Sequence, residues 1–250
     1  KLIKTLTEYN LTKKEFFEFI TEEGVNLNGW MMKPVDFDPN KKYPVLMYVY
    51  GGPGSQTVTD AWGGQYMWYQ MLCQEDYIIV SIDNRGTGGR GSEFKKCTYK
   101  ELGKLETIDQ IEGAKYLSSL SYVDKQRIGI WGWSYGGYMS SLCILKGSQY
   151  FNTAIAVAPV TNWRFYDTIY TERYMQTPQE NPDGYDLNSP IHYADSLIGN
   201  YLLIHGSADD NVHVQNTYEM ANALVKANKQ FELFIYPDKN HSIYGGNTRL

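Results

Sequence analysis

Apolar residues occur along the chain as short continuous runs that alternate with segments of helical period. Continuous runs of this length are typical of strands that are buried on both faces of a parallel sheet. The sequence therefore predicts buried strands at residues 45–50 and 77–83, and further strands at 127–131, 154–157, 201–205 and 232–236. Apolar residues at helical spacing predict helices at residues 62–74, 108–120, 135–146 and 214–225.

Two segments depart from this alternation. Residues 15–21 and 27–33 are strand-like and flank the turn Glu22-Glu23-Gly24, which predicts an opening hairpin. Residues 163–196 have weak periodicity and many aromatic side chains, and we interpret them as an insertion over the sheet edge. Together the elements predict one α/β domain over residues 1–250, a mostly parallel twisted sheet with helices on both faces. Functional loops are then expected at the carboxyl ends of the strands.

Composition excludes several functional classes. The chain has 250 residues, with 23 basic and 28 acidic side chains and a net charge of −5. It has no basic run, so we expect no nucleic-acid partner. No apolar stretch approaches the roughly 18 residues that a membrane-spanning helix needs. The three cysteines form neither a CxxC pair nor a His/Cys cluster, so no metal site is expected.

A candidate nucleophile lies between the strand at 127–131 and the helix at 135–146. The sequence there reads Gly132-Trp133-Ser134-Tyr135-Gly136, which fits GxSxG. Strand, GxSxG and helix in this order are typical of a nucleophile elbow, a turn too tight for side chains at its flanks. A small-residue packing turn is the alternative, but the strand and helix around the motif favour Ser134 as a nucleophile.

The order of residues along the chain selects a base for Ser134. In an α/β-hydrolase the nucleophile, the acid and the histidine follow one another in sequence, each in a loop after a strand. Of the four histidines, His241 fits that order with an acid upstream. The acid comes from the loop after the strand at 201–205, where Asp209 and Asp210 both qualify.

These groups predict acyl transfer. A neutral imidazole can accept the serine proton, and a buried aspartate fixes its tautomer. The backbone N–H of Tyr135, directly after the nucleophile, would be one donor to the developing oxyanion. A second donor is expected from the loop Tyr50-Gly51-Gly52-Pro53, which follows the strand at 45–50.

Several motifs together resemble the catalytic domain of the dipeptidyl peptidase IV group within the prolyl oligopeptidase family of serine peptidases, which has the α/β-hydrolase fold. The motifs are WGWSYGGYM, the YGGP loop, NWRFYDTIYTERYM, LLIHGSADDNVH and the late histidine, and the resemblance extends from about residue 43 to residue 243. It implies Ser134 as nucleophile, Asp209 as the triad acid, His241 as base and the Tyr50 hydroxyl as the second oxyanion donor.

The resemblance also implies a pocket for the residue before the scissile bond. It would be lined by Tyr135, Val160, Trp163, Tyr166, Tyr170 and Val212, with Asn211 in polar contact with the substrate. An aromatic wall suits proline, which is apolar and brings no N–H, or the smaller alanine. The alternative is that Trp163, Tyr166 and Tyr170, at helical spacing, form a core stripe.

By resemblance, the chain is expected to be a serine exopeptidase domain that needs no cofactor. It would release N-terminal dipeptides from peptides with Pro or Ala at the second position. Prolyl tripeptidyl or acylaminoacyl peptidase activity, and an inactive hydrolase-fold binding module, are the alternatives. By the same resemblance, we expect the family's β-propeller to be absent from this chain and its C-terminal helix to be truncated. The full-length protein is expected to be a homodimer of the periplasm, the cell envelope or the secreted fraction.

Three further patterns are assigned structural roles. The run Gly86-Thr87-Gly88-Gly89-Arg90-Gly91 fits a dinucleotide-binding GxGxxG, but the residues after it make a poor amphipathic helix. His205, Asp209 and His213 are regularly spaced but span a strand end and a loop, which argues against a metal. Glu22 and Glu23 are interpreted as solvated acids of a hairpin turn, not as a grip for a substrate amino terminus.

Overall fold

The computed structural model describes Leu6 and residues 8–248. Within that part of the chain, one sheet contains the strands β1 Lys14–Ile20, β2 Asn26–Met32, β3 Tyr43–Tyr48, β4 Ile78–Asp83, β5 Val123–Trp133, β6 Thr153–Val157, β7 Asn200–Gly206 and β8 Glu232–Tyr236. Their order in the sheet is β1-β2-β4-β3-β5-β6-β7-β8. β1 pairs with β2 and β2 with β4 in antiparallel fashion, and every other neighbouring pair is parallel. The predicted opening hairpin and mostly parallel sheet are confirmed.

Helices connect successive strands from β3 onward. Those with described bounds are α1 Tyr66–Gln74, α2 Ser92–Lys96, α3 Lys104–Ser118, α4 Tyr135–Lys146, α5 Thr168–Met175, α6 Pro182–Asp186 and α7 Gln215–Lys226, with 3₁₀ helices at Trp163–Phe165 and Pro190–Ser196. In the part of the chain that the structure describes, no helix is long and apolar enough to cross a membrane.

The centre of the sheet is buried on both faces. In β4, Val80 and Ile82 pack into the larger core, while Ile79 packs into a second cluster on the opposite face. α1 covers that second cluster through Tyr69 and Cys73, which are buried. Successive residues of a strand point to opposite faces, so a continuous apolar run is what a doubly covered strand requires.

The segment at 163–196 is more regular than the sequence predicts. It contains α5, α6 and both 3₁₀ helices. The Asp167 side chain accepts a hydrogen bond from Tyr170 N at the start of α5, and Asn181 accepts one from Gly184 N at the start of α6. These helices are short and depend on their caps, so an apolar stripe does not reveal them.

Candidate active site

Ser134 stands at the turn between β5 and α4, at the carboxyl edge of the sheet. Its backbone has φ 60° and ψ −117°, a conformation that costs a non-glycine residue free energy and is concentrated at functional sites. The turn is tight enough to exclude flanking side chains, because a Cβ on Gly136 would lie 2.1 Å from the Val49 carbonyl oxygen, and one on Gly132 2.4 Å from the same atom. The strained turn therefore holds the Ser134 side chain clear of both elements.

Asp209 and His241 form a direct pair. His241 Nδ1 lies 2.7 Å from Asp209 Oδ2. Asp209 Oδ1 accepts hydrogen bonds from the backbone N–H groups of Asn211 and Val212, both at 2.9 Å. Asp209 is buried, whereas its neighbour Asp210 is exposed, so the structure brings the first of the two candidate acids to the histidine.

The Asp209 carboxylate is kept ionised by its partners. Burial alone would raise its pKa, but interactions with His205 and His241 outweigh burial, and the pKa lies below its ordinary value. An ionised carboxylate accepts the Nδ1–H of His241 and leaves Nε2 of the ring as the basic atom.

Five of the predicted site residues line one open cleft of about 740 Å³: Tyr50, Ser134, Tyr166, Asn211 and His241. A volume of this order accommodates a small peptide segment. These residues come from loops after β3, β5, β6, β7 and β8, whose carboxyl ends lie at the same edge of the parallel sheet.

Two donors are available for an oxyanion. Tyr135 is the first residue of α4, where the N–H groups have no intrahelical acceptor. The Tyr50 ring lies on the cleft, 6.0 Å between centroids from the Tyr135 ring. Burial, with a contribution from Tyr174, raises the pKa of the Tyr50 hydroxyl. The hydroxyl therefore stays protonated and can donate a hydrogen bond.

The glycine run at 86–91 supports the Tyr50 loop. Gly54 N donates to the Gly86 carbonyl at 2.8 Å, and Gly88 N donates to the Ser55 carbonyl at 2.8 Å. A Cβ on Gly88 would lie 2.9 Å from the Gly54 carbonyl oxygen, so side chains would separate the two loops. The close backbone approach accounts for Gly88 without a bound nucleotide.

The predicted substrate pocket corresponds to a continuous aromatic cluster. Trp163 stacks on Tyr170 at 5.9 Å between centroids, meets Tyr135 at 5.5 Å and meets Tyr166 edge-on at 5.8 Å. The Tyr166 hydroxyl also donates to Asn211 Oδ1 at 2.8 Å.

The members of this pocket differ in exposure. Tyr166 reaches the cleft, whereas Trp163 and Tyr135 are almost fully buried behind it. Val160 and Val212 are buried in the same core as Trp163, and neither lines the cleft. The pocket assignment stays a prediction for these buried members.

The remaining histidines lie apart from the cleft lining. His192 and His213 are exposed, and His205 is buried with Nδ1 2.7 Å from Thr217 Oγ1 and Nε2 2.7 Å from the Val212 carbonyl oxygen. No group of three or more His, Cys, Asp or Glu side chains that could hold a metal occurs among residues 8–248.

Glu22 and Glu23 take part in ion pairs. Glu23 Oε2 lies 2.8 Å from an Arg85 guanidinium nitrogen, and Glu22 pairs with Lys115. Both acids are exposed in the turn between β1 and β2. The pairs connect the hairpin to the body of the domain.

Three residues of the site escape sequence reasoning. Trp133 Nε1 donates to the His241 carbonyl oxygen at 2.9 Å, which ties the histidine loop to the elbow. His205 Nε2 lies 3.2 Å from Asp209 Oδ2. Glu106, fully buried, accepts a hydrogen bond from the Tyr135 hydroxyl at 2.8 Å. Trp133 lies inside GxSxG and His205 is regularly spaced with Asp209, whereas no sequence pattern indicated Glu106.

Comparison with known proteins identifies a family and a fold for the chain. The model of the prolyl oligopeptidase family matches residues 65–250. The crystal structure of Porphyromonas gingivalis dipeptidyl peptidase 4 superposes with a TM-score of 0.96 at 51% identity, covering 98% of this chain and 35% of that one. The α/β-hydrolase arrangement expected from the sequence is thereby confirmed.

Two curated fungal relatives carry the name Probable dipeptidyl-aminopeptidase B. That of Coccidioides posadasii (strain C735) is 46% identical over 236 residues, covering 93% of this chain and 26% of the relative. That of Paracoccidioides brasiliensis (strain Pb18) is 44% identical over 251 residues, covering 99% and 27%. The chain thus spans about a quarter of the length of these relatives.

Proposed function

Because the chain belongs to the prolyl oligopeptidase family of serine peptidases, we propose that it forms the catalytic domain of a dipeptidyl peptidase. The enzyme would release N-terminal dipeptides from peptides whose second residue is proline or alanine. The observation that carries the proposal is the single cleft that contains Ser134 on its strained turn and His241 bonded to a buried Asp209.

In the proposed reaction, Ser134 Oγ attacks the carbonyl carbon of the second residue while His241 Nε2 takes the hydroxyl proton. The carbonyl oxygen gains the negative charge and accepts hydrogen bonds from Tyr135 N–H and the Tyr50 hydroxyl. His241 then gives its proton to the leaving nitrogen as the C–N bond breaks, which leaves an acyl-enzyme.

Water completes the cycle. His241 takes a proton from the water molecule as its oxygen attacks the ester carbonyl. The proton returns to Ser134 Oγ when the ester bond breaks, and the dipeptide leaves with a new carboxylate. Asp209 stays ionised throughout and stabilises the imidazolium.

The aromatic cluster supports proline or alanine as the residue before the scissile bond. Tyr166 presents its ring to the cleft with Trp163 and Tyr170 packed behind it. An aromatic surface suits a compact apolar ring that brings no donor to be satisfied. The names of the relatives support dipeptides as products.

A peptide panel tests the proposal. The protein, as naturally expressed, is incubated with peptides that begin Gly-Pro, Gly-Ala or Gly-Gly, each with a free and an acetylated amino terminus, and products are identified by mass spectrometry. We expect dipeptides from the free Gly-Pro and Gly-Ala peptides, and no product with Ser134→Ala.

Other products would indicate the alternatives. Tripeptides would favour a tripeptidyl peptidase, and acetylated amino acids an acylaminoacyl peptidase. A folded protein that cleaves no member of the panel would contradict the proposal and favour a binding module.

A further inference from the structure

Glu106 is a buried carboxylate directly behind the candidate active site. It is the third residue of α3 and has no exposed surface. Oε2 accepts a hydrogen bond from Gly103 N at 3.0 Å, which caps the helix. Oε1 accepts a hydrogen bond from the Tyr135 hydroxyl at 2.8 Å. Both carboxyl oxygens therefore have defined partners, and one of those partners belongs to the site.

Tyr135 adjoins the site through its backbone, and its ring packs behind the cleft. Its N–H is a candidate oxyanion donor, and its ring lies between Tyr50 and Trp163 at centroid distances of 6.0 and 5.5 Å. Tyr138 meets the same ring edge-on at 5.3 Å. These ring contacts tolerate small displacements of the ring, whereas the hydrogen bond restricts the position of its hydroxyl group.

A carboxylate is a costly way to fill this position. Burial raises the pKa of Glu106 to about 7, despite the hydrogen bonds that favour its ionised form. An apolar side chain opposite a phenylalanine would fill similar space without burying a carboxyl group. The cap at Gly103 does not require Tyr135, so helix capping alone leaves the second hydrogen bond unexplained.

We propose that Glu106 is a positioning residue for substrate selection, which holds the Tyr135 hydroxyl and so fixes the ring that backs the predicted pocket for the residue before the scissile bond. The inference rests on the proposed function. A proline ring touches more of a pocket wall than an alanine methyl group does, so displacement of the Tyr135 ring costs the proline substrate more contacts. Loss of the hydrogen bond from the Tyr135 hydroxyl to Glu106, which we call the anchor, should therefore reduce the preference for proline over alanine.

Two substitutions separate the anchor from the bulk of the side chain. In Glu106→Gln the amide oxygen can accept from Gly103 N–H while the NH₂ group donates to the Tyr135 oxygen, which can also accept. This variant should keep the ratio of kcat/KM for Gly-Pro and Gly-Ala amides within about threefold of wild type. Glu106→Leu offers the hydroxyl no partner and should lower that ratio about tenfold or more, mainly through KM of the proline substrate.

Asp109→Asn is the matched control. Asp109 is a second fully buried carboxylate on α3, and it bonds to Arg85, with no hydrogen bond to Tyr135. It should lower the unfolding midpoint and leave the proline-to-alanine ratio unchanged. Tyr135→Phe removes the same hydrogen bond from the other side, so it tests the anchor even where Glu106→Leu fails to fold.

These measurements distinguish failure of the proposed function from failure of the inference about Glu106. A wild-type protein that cleaves neither substrate refutes the proposed function and the inference with it. A wild type that cleaves both, with the ratio unmoved in Glu106→Leu or in Tyr135→Phe, refutes the inference alone. An equal fall in the ratio for Asp109→Asn would also overturn it, because the effect would then follow from any lost carboxylate of α3.

Discussion

Replacing Asp209 with asparagine should disable the base while it leaves the fold intact, because the surroundings of the carboxylate dictate how an amide can sit. Two backbone donors, Asn211 N and Val212 N, point at Oδ1, both at 2.9 Å. His241 Nδ1 at 2.7 Å and His205 Nε2 at 3.2 Å face Oδ2. His205 Nε2 carries a proton, because its other neighbour is the Val212 carbonyl oxygen, which can only accept.

The amide therefore has one favourable orientation. With its oxygen at the Oδ1 position it keeps both backbone bonds, and its NH₂ group meets one donor, His205. The reverse orientation would place the NH₂ group against two backbone donors. In the favourable orientation the NH₂ group donates to His241 Nδ1, so the proton of His241 moves to Nε2.

A histidine in that tautomer has no lone pair on Nε2, the nitrogen that would accept the Ser134 proton. Loss of the correct tautomer at a buried triad acid lowers kcat about 10⁴-fold, equivalent to about 5 kcal/mol of transition-state stabilisation. KM should change little, because Asp209 does not line the cleft. The exposed neighbour provides the control, and Asp210→Asn should stay within about twofold of wild type.

Steady-state hydrolysis of Gly-Pro 4-nitroanilide gives kcat and KM for both variants, and circular dichroism verifies that they are folded. A kcat for Asp209→Asn within about tenfold of wild type would refute the tautomer argument. A comparable loss in Asp210→Asn, with Asp209→Asn close to wild type, would show that the two acids were assigned in the wrong order.

Three further predictions follow from individual contacts. Tyr50→Phe should lower kcat about 100-fold to 1,000-fold with an unchanged unfolding midpoint, and wild-type turnover would show that the hydroxyl only packs. Gly136→Ala places a Cβ 2.1 Å from the Val49 carbonyl oxygen and should cost about 3 kcal/mol, or about 6–12 °C in Tm by calorimetry, whereas Gly63→Ala, with no atom within 4 Å of its Cβ, should leave Tm unchanged. Burial raises the pKa of Glu106 from 4.5 to about 7, so between these values the folded state holds a proton that the unfolded state releases, and the free energy of unfolding falls as pH rises. In urea titrations at pH 5 and pH 7.5, Glu106→Gln should remove that decline. An equal fall in the free energy of unfolding between the two pH values in both proteins would contradict this prediction.

The sheet could be predicted from sequence because its central strands β4 and β5 have continuous runs buried on both faces, but the ends of its strands could not. β5 begins at Val123, four residues before the predicted start. The prediction missed this part of the strand because it contains the polar run Asp124 to Arg127. α1 begins at Tyr66 instead of residue 62, after Gly63 and Gly64, which disfavour helix. Polar residues and glycines at the ends of elements obscure the period on which such predictions depend.

The sequence predicts those residues of the candidate site that lie in loops directly after successive strands. Ser134 and His241 each follow a strand, and the parallel sheet brings such loops to one edge. The choice between Asp209 and Asp210 depends on which carboxylate turns inward, which no local pattern records. The bond from Glu106 to Tyr135 joins residues 29 positions apart and arises only from the packing of α3 against α4.

The account depends most on Ser134 as an activated nucleophile, and labelling with a fluorophosphonate tests this directly. Peptide mapping by mass spectrometry of the labelled wild-type protein should find one phosphonyl adduct, on Ser134, and Ser134→Ala should remain unlabelled. Labelling at any other residue with Ser134 unmodified, or full peptidase activity in a preparation whose Ser134 is quantitatively blocked, would contradict the account.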